Sequence, residues 1–327
     1  MKVLIIGSAG MIGQKLISKI ISEKEFFSNI EELLLYDIID TPVKDVNLKT
    51  NVMVGDISDK KETYKLSEFM PDIIFHLASI VSGEAEEKFE KGWNSNAKAT
   101  WNLLEALREK NLNQNGNYIP KLVFTSSIAV FGPPFPDKIN DSFLCAPQTS
   151  YGSQKAMLEL LMSDYSRKGF IDAISIRLPT ICVRPGKPNL AASSFFSGII
   201  REPINGKEAI LPVSRDVRHW HASPKSAAGF LVHAAKIDSQ KLGTRRSLNM
   251  PGVSCTVDEQ ISALKNICGE SVANLIKEIK DEKIVRIVDG WPQNFNPEKA
   301  ITLGFESEKN FEEIIKVYLE DDFGKVL

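Results

Sequence analysis

The sequence predicts an α/β fold: a doubly wound parallel sheet with a smaller C-terminal lobe. Three observations predict it. Short apolar runs of β-type residues alternate with helical patterns, a glycine-rich turn joins the first run to the first helix, and an acidic residue closes the second run. Strands alternating with helices imply βαβ units, with helices covering both faces of a parallel sheet.

Val3 to Ile6 is the first apolar run, followed by Gly7-Ser-Ala-Gly10-Met-Ile-Gly13 and an amphipathic stretch from Gln14 to Ser22. Leu33 to Tyr36, Val52 to Val54, Asp72 to Leu77, Lys121 to Thr125 and Ala173 to Arg177 read as five further strands. Helical patterns run from Asn96 to Lys110 and from Tyr151 to Lys168. Beyond Arg177, prolines at 179, 185 and 188 interrupt regular structure. A helix-like segment, Ser194 to Arg201, follows, and a later one, Pro224 to Ala235, is expected to return to the main sheet.

The 327 residues are 43% hydrophobic and 25% charged, enough for one large or two medium folded units with a substantial core. A net charge of −2 supplies no footprint for nucleic acid or an anionic membrane. Cys145, Cys182, Cys255 and Cys268 are scattered without a Cys-x-x-Cys pair, so neither a zinc site nor a disulfide framework is expected. Unpaired thiols fit a reducing cytosol. No run approaches the ~20 apolar residues of a membrane span. The opening from Met1 to Gly7 reads as a buried strand rather than a signal peptide, because its apolar run is short and glycines interrupt it.

Gly7-x-x-Gly10-x-x-Gly13 lies between strand and helix, where a phosphate-binding turn belongs. The first glycine permits the tight turn, the second lets a pyrophosphate approach the backbone, and the third lets helix and strand pack closely. Asp37 closes the second strand, where a carboxylate accepts hydrogen bonds from ribose hydroxyls and repels a 2′-phosphate. NAD is therefore expected over NADP, in a Rossmann-type arrangement. Asp40 is a nearby alternate. Asp56 and Ile57, after the third strand, offer the adenine an acceptor and an apolar wall.

Tyr151 and Lys155 stand at i and i+4 on one helix face, with Ser126 and Ser127 upstream. An ammonium beside a phenol favours the phenolate and lowers a pKa that is normally ~10. Such a phenol can move a proton to or from an alcohol.

In this order the motifs resemble the extended short-chain dehydrogenase/reductase family. The resemblance spans essentially the whole chain. It rests on the glycine turn, Asp37, Gly55-Asp56-Ile57, His76 to Ser79, Asn96, Phe124 to Gly132, Tyr151-x-x-x-Lys155 and Arg177 to Thr180. Arg215 to His219 and Ala300 to Phe305 also match. It implies that Tyr151 is the catalytic acid/base, that Lys155 tunes it and holds the nicotinamide ribose, and that Ser127 bonds the reacting oxygen. It further implies NAD contacts from Ala9, Met11 and Ile12 in the turn, from Leu77, Ala78, Ser79, Asn96 and Ser126, and from Leu178 and Thr180. Asn96 equally suits a helix N-cap, and His76 a satisfied strand-end histidine.

Many relatives of this kind act on nucleotide sugars, but three departures argue otherwise. Thr180 stands where an asparagine is usual, Ile210 to Arg215 replaces a glycine-rich stretch, and Ile128-Ala129 replaces an acidic pair that would follow Ser127. Val183 to Pro203 and Arg215 to Pro224 resemble the branch that oxidises the C2 hydroxyl of D-erythronate, a four-carbon sugar acid, with NAD. In that segment Arg184 offers a planar fork for a carboxylate. Asn189, Ser193 and Ser194 offer hydroxyl contacts, and Ser79, Ser82 and Gly83 an opposite wall. Arg184 could equally sit in a structural ion pair, and the serines could be helix caps. His219 and His221 read as structural, with no metal expected. Residues 1–178, rejoined by about 216–240, would form the NAD-binding unit, and 179–215 with 241–327 the substrate-binding lobe. The resemblance also implies a homodimer through the Asn96 and Tyr151 helices, for which Trp101, Leu104, Met157 and Leu161 supply apolar surface; these could equally be core. A nucleotide-sugar epimerase or dehydratase, and a non-enzymatic NAD sensor, are the competing readings.

Overall fold

The computed structural model of the protein describes residues 1–23, 28, 30–43, 48–186 and 191–324. In chain order the strands are β1 (Lys2–Ile6), β2 (Glu32–Asp37), β3 (Thr50–Val54), β4 (Ile73–His76), β5 (Lys121–Ser127), β6 (Ile139–Asn140) and β7 (Asp172–Leu178). There follow β8 (Thr180–Ile181), β9 (Ala209–Leu211), β10 (Arg218–Ala222), β11 (Ser247–Asn249), β12 (Val253–Thr256), β13 (Ile276–Glu278) and β14 (Phe295–Asn296). The main helices are α1 (Met11–Ser22), α2 (Lys60–Glu68), α3 (Ser82–Glu87), α4 (Ala99–Asn113), α5 (Ser150–Arg167), α6 (Ser194–Ile204), α7 (Pro224–Lys236), α8 (Val257–Cys268) and α9 (Phe311–Asp321).

Seven strands form one sheet in the order β11-β7-β5-β4-β1-β2-β3, and every pairing is parallel. This is the doubly wound sheet that the sequence predicts. Val3 to Ile6 are wholly buried because both faces are covered. On one face Leu16, Ile17 and Ile20 of α1 join Phe230, Leu231 and Ala234 of α7. On the other, Leu66 of α2, Leu103 and Leu107 of α4, and Leu158 and Met162 of α5 fill a second core. Each such aliphatic side chain contributes ~1.5–3 kcal/mol on burial. The strand order reverses between β1 and β4, which opens a crevice beyond the carboxyl ends of these two strands, where ligands bind in such sheets.

β12, β10 and β8 make a second, smaller sheet over a third core that includes Phe196, Leu264 and Ile314. Two divisions of the chain differ from expectation. Ser247–Asn249, expected in the lobe, is the seventh strand of the main sheet, because Leu248 completes the core beside Ile176. Within the stretch of about 216–240 expected to rejoin the NAD-binding unit, Arg218–Ala222 belongs to the small sheet, and α7 packs on the main one. Leu104 is wholly buried, so it is core rather than partner surface, and Leu161 packs against the same core.

Candidate active site

The turn after β1 is shaped by two close approaches. Gly7 has a φ of +93°, in the left-handed region that favours glycine. A Cβ there would lie 2.6 Å from the Ala78 nitrogen, and one on Gly13 would lie 2.3 Å from the Gly7 carbonyl oxygen. Gly10 differs: a Cβ would meet nothing closer than 3.5 Å, so its side is open. Gly10 is also the N-cap of α1 and receives no side-chain cap. Backbone N–H groups and the positive end of the helix dipole therefore stand beside clear space, a cradle that fits a pyrophosphate. Met11 and Ile12 flank it and pack on the core.

Asp37 lies beside this cradle. Its carboxylate accepts from the Ala9 N–H at 2.9 Å and the Ile38 N–H at 2.7 Å, so the acid is oriented by the turn itself. The Ala9 N–H is thereby engaged. Gly55 donates to the Asp37 carbonyl, which brings the end of β3 alongside. Asp56 Oδ1 accepts from Ser58 N–H at 2.9 Å, and Ile57 is buried beneath. These groups fit the adenosine half of NAD.

After β4, Leu77 and Ala78 donate their N–H groups to the Ile6 carbonyl at 2.8 and 3.0 Å. The next residues are held by Asn96, which is no N-cap. It lies inside a π-helical turn, Trp93–Lys98, that leads into α4. Its Oδ1 accepts from Ser79 Oγ at 3.0 Å and Ile80 N–H at 2.8 Å, while its Nδ2 donates to Gln154 Oε1 at 2.8 Å. Asn96 thus ties the β4 loop to α5. Gln154 had no signal in the sequence beyond its place between Tyr151 and Lys155. Ser82 begins α3, partly exposed beyond this loop.

Thr149 caps α5 by accepting from the Gly152 N–H at 3.1 Å, placing Tyr151 in the first turn. The Tyr151 hydroxyl lies near the Ser79 and Ser127 side chains, both of which favour its ionised form. Burial pushes the phenol up to about 12, against the opposing effects of the Arg184 charge and the two serines. Expectation placed it below its ordinary value, but desolvation outweighs the cation. Lys155 is wholly enclosed, and burial pulls it down to about 7, partly opposed by Glu159. Its Nζ donates to the Thr125 carbonyl at 2.8 Å and lies 5.5 Å from the Tyr151 ring centroid. Ser127 accepts from the Ala129 N–H at 3.1 Å, which orients its hydroxyl. The Ser126 hydroxyl is buried and donates to Glu159, so what it can offer a cofactor is backbone.

Arg184 reaches the same place from the opposite wall. Its Nε donates to the Ile181 carbonyl at 3.0 Å and its Nη2 to Ser193 Oγ at 3.1 Å. Ser193 occupies the N-cap position of α6 but makes no cap bond, because its hydroxyl serves Arg184. Ser194 begins the helix and is partly exposed. Asn189 lies outside the described residues. The elements thus bring Tyr151, Ser127, Ser79 and Arg184 together, with Leu178 at the end of β7 adjoining Ser127 in register.

Thr180 faces His219 rather than open space alone. His219 Nδ1 lies 2.8 Å from the Pro292 carbonyl, which can only accept, so Nδ1 carries the proton. Nε2 then accepts from the Thr180 hydroxyl at 2.7 Å. Burial draws His219 down to about 4, in stacked contact with Phe196. His221 bonds Gln260 at 3.0 Å, and His76 Nε2 bonds Thr100 at 2.8 Å. Burial draws His76 down to about 3. Among the described residues no group of three or more His, Cys, Asp or Glu side chains could hold a metal ion.

The description of the NAD dependent epimerase/dehydratase family matches residues 3–243. A D-erythronate dehydrogenase of Haemophilus influenzae is 40% identical over 324 residues, 98% of this chain and 100% of that protein. One of Cupriavidus necator is 40% identical over 326 residues, 98% of both chains. A solved structure described as a nucleoside-diphosphate-sugar epimerase from Agrobacterium tumefaciens has a TM-score of 0.95 and 50% identity, covering 100% of this chain and 95% of that one. The chain belongs to the NAD-dependent epimerase/dehydratase family and is an NAD-dependent dehydrogenase.

Proposed function

We propose that the protein oxidises the C2 hydroxyl of D-erythronate to the corresponding 2-oxo acid. One observation carries this reading: Arg184, held by the Ile181 carbonyl and the Ser193 hydroxyl, stands close enough to Tyr151 for its charge to act on the phenol. A 2-hydroxy acid bears its carboxylate on the carbon next to the reacting one. A guanidinium that grips the carboxylate must therefore stand close to the base that takes the hydroxyl proton. A nucleotide sugar carries its diphosphate several bonds from the ring carbon that reacts, and needs its cations farther away. The two D-erythronate dehydrogenases at 40% identity support the same substrate.

NAD, when bound, supplies the hydride acceptor. Gly7, Gly10, Gly13 and Asp37 hold it, with Lys155 on the nicotinamide side. Tyr151, as the phenolate, takes the proton from the C2 oxygen, and Ser127 positions that oxygen. Arg184 orients the carboxylate and draws Tyr151 toward the phenolate, offsetting part of the burial that opposes it. Ser79, Ser193 and Ser194 bind the remaining hydroxyls.

The working unit we propose is a homodimer. α4 and α5 pack against each other and expose Trp101 (54%), Met157 (38%) and Leu160 (75%), an apolar surface that a second copy would cover. Four free thiols favour a reducing cytosol.

The test is NADH absorbance on mixing purified protein, NAD⁺ and D-erythronate, with UDP-glucose as the comparison. NADH formed from D-erythronate, with UDP-glucose unchanged, is expected. Tyr151→Phe should bind NADH and lose turnover. Turnover of UDP-glucose with no NADH from D-erythronate, or full activity in Tyr151→Phe, refutes the proposal.

A further inference from the structure

Tyr151, Lys155 and Glu159 follow one another at intervals of four along α5, and so share one helix face. Opposite them stand three consecutive residues of β5. Ser127 lies near the Tyr151 phenol, the Thr125 carbonyl accepts from Lys155 at 2.8 Å, and the Ser126 hydroxyl donates to Glu159. Helix and strand are thus joined here by two hydrogen bonds, one from Lys155 of the reacting pair and one to Glu159, with the Tyr151 phenol beside Ser127 above them.

The bond to Glu159 is the more firmly anchored. Glu159 is 3% exposed. Its carboxylate takes a forked grip from Arg177, with Nε at 2.9 and 3.1 Å and Nη2 at 2.6 Å. Arg177 is the register partner of Ser126 on β7, and its Nη1 donates to Asn249 Oδ1 of β11 at 3.2 Å. Glu159 is therefore fixed to three adjacent strands. Lys155, by contrast, holds β5 with one bond at the end of a flexible stem. Stability alone does not account for such a cluster, because a buried ion pair is often matched by apolar residues of similar volume. A bidentate pair does supply geometric specificity.

We propose that Glu159, locked by Arg177, is a positioning residue for the proton transfer: its bond to Ser126 sets the height of α5 on β5 at which Tyr151 meets Ser127. The inference rests on the role given above to Tyr151. Reacting groups displaced by about 1 Å lose on the order of a hundredfold in rate, and a helix rises only about 1.5 Å per residue. A small slide of α5 would therefore separate the phenol from the serine.

Ser126→Ala tests this, because it removes the contact and leaves the Glu159–Arg177 pair intact. Two measurements are made on the full-length protein. With NAD⁺ and D-erythronate, protiated or deuterated at C2, kcat should fall about tenfold or more, the isotope effect on kcat should grow, and KM for NAD⁺ should stay within about twofold. A role in stability alone would move none of these at temperatures below unfolding. Independently of turnover, the ¹³Cζ resonance of Tyr151, assigned in labelled protein by its loss in Tyr151→Phe, should shift because its distance from Ser127 changes. An unmoved resonance overturns the positioning role whatever the substrate, and wild-type kcat with a wild-type isotope effect overturns it on D-erythronate. Wild-type protein that makes no NADH from D-erythronate refutes the proposed substrate alone, and the resonance then decides the role of Glu159.

Discussion

Alanine at Gly10 and alanine at Gly13 should have opposite consequences, although the two positions lie three residues apart. At Gly13 the added carbon would stand 2.3 Å from the Gly7 carbonyl oxygen and 2.6 Å from that of Ser8. Both obstacles are backbone, so α1 must lift from the turn by roughly 1 Å. Overpacking of this kind costs about 1–3 kcal/mol, and at about 2 °C per kcal/mol for a chain of this size Tm should drop by about 2–6 °C. At Gly10 the nearest atom is 3.5 Å away and the backbone, at φ −67° and ψ 161°, suits any residue. Only the glycine's small advantage as an N-cap is lost, under about 1 kcal/mol. The methyl group would instead fill the space where a pyrophosphate must approach α1. Loss of one or two such contacts weakens NADH binding about ten- to a hundredfold, or about 1.4–2.8 kcal/mol. Thermal unfolding and fluorescence titration of NADH measure the two quantities on the same samples. A Gly10→Ala protein that binds NADH as tightly as wild type would refute the placement of the cofactor at this helix end.

Lys155→Met should abolish turnover yet stabilise the protein at neutral pH and below. The Lys155 ammonium is held at about 7, below its ordinary 10.5, so its burial weakens the fold fully at low pH and progressively less as pH rises from about 7 toward 10.5. The gain in Tm over wild type should therefore shrink across that interval, and a constant difference would contradict the assignment. Asp37→Ala should weaken NADH binding and improve the relative affinity for NADPH, read by parallel titrations, because the carboxylate that accepts from Ala9 and would accept from the ribose is removed. Leu160→Arg places a charge on a side chain that is 75% exposed, so the fold should be unaffected while any dimer dissociates, as light scattering during gel filtration will read. Unchanged mass would remove this face from the interface.

Most of the fold was legible because its signals are local. Val3 to Ile6, Leu33 to Tyr36 and Ala173 to Arg177 announce buried parallel strands by unbroken apolar runs, and the glycine turn marks where strand gives way to helix. Ser247–Asn249 escaped notice because three residues carry too little pattern, and only its pairing with β7 reveals it. Asn96 was visible as a polar residue at a helix start, but its work as a bridge between Ile80 and Gln154 depends on a π-helical turn that no spacing rule anticipates.

The sequence by itself determined the order of strands and helices, the phosphate-type turn, the acid at Asp37 and the pairing of Tyr151 with Lys155, since each depends on neighbours along the chain. The tertiary structure alone decided the charges around the phenol. It buried Tyr151 and Lys155 enough to move both from their ordinary pKa values in opposite directions, and it brought Arg184 and Glu159 to their sides. Desolvation and Coulomb interaction depend on distance through space, and residues far apart in sequence become close only when the sheet and lobe are packed.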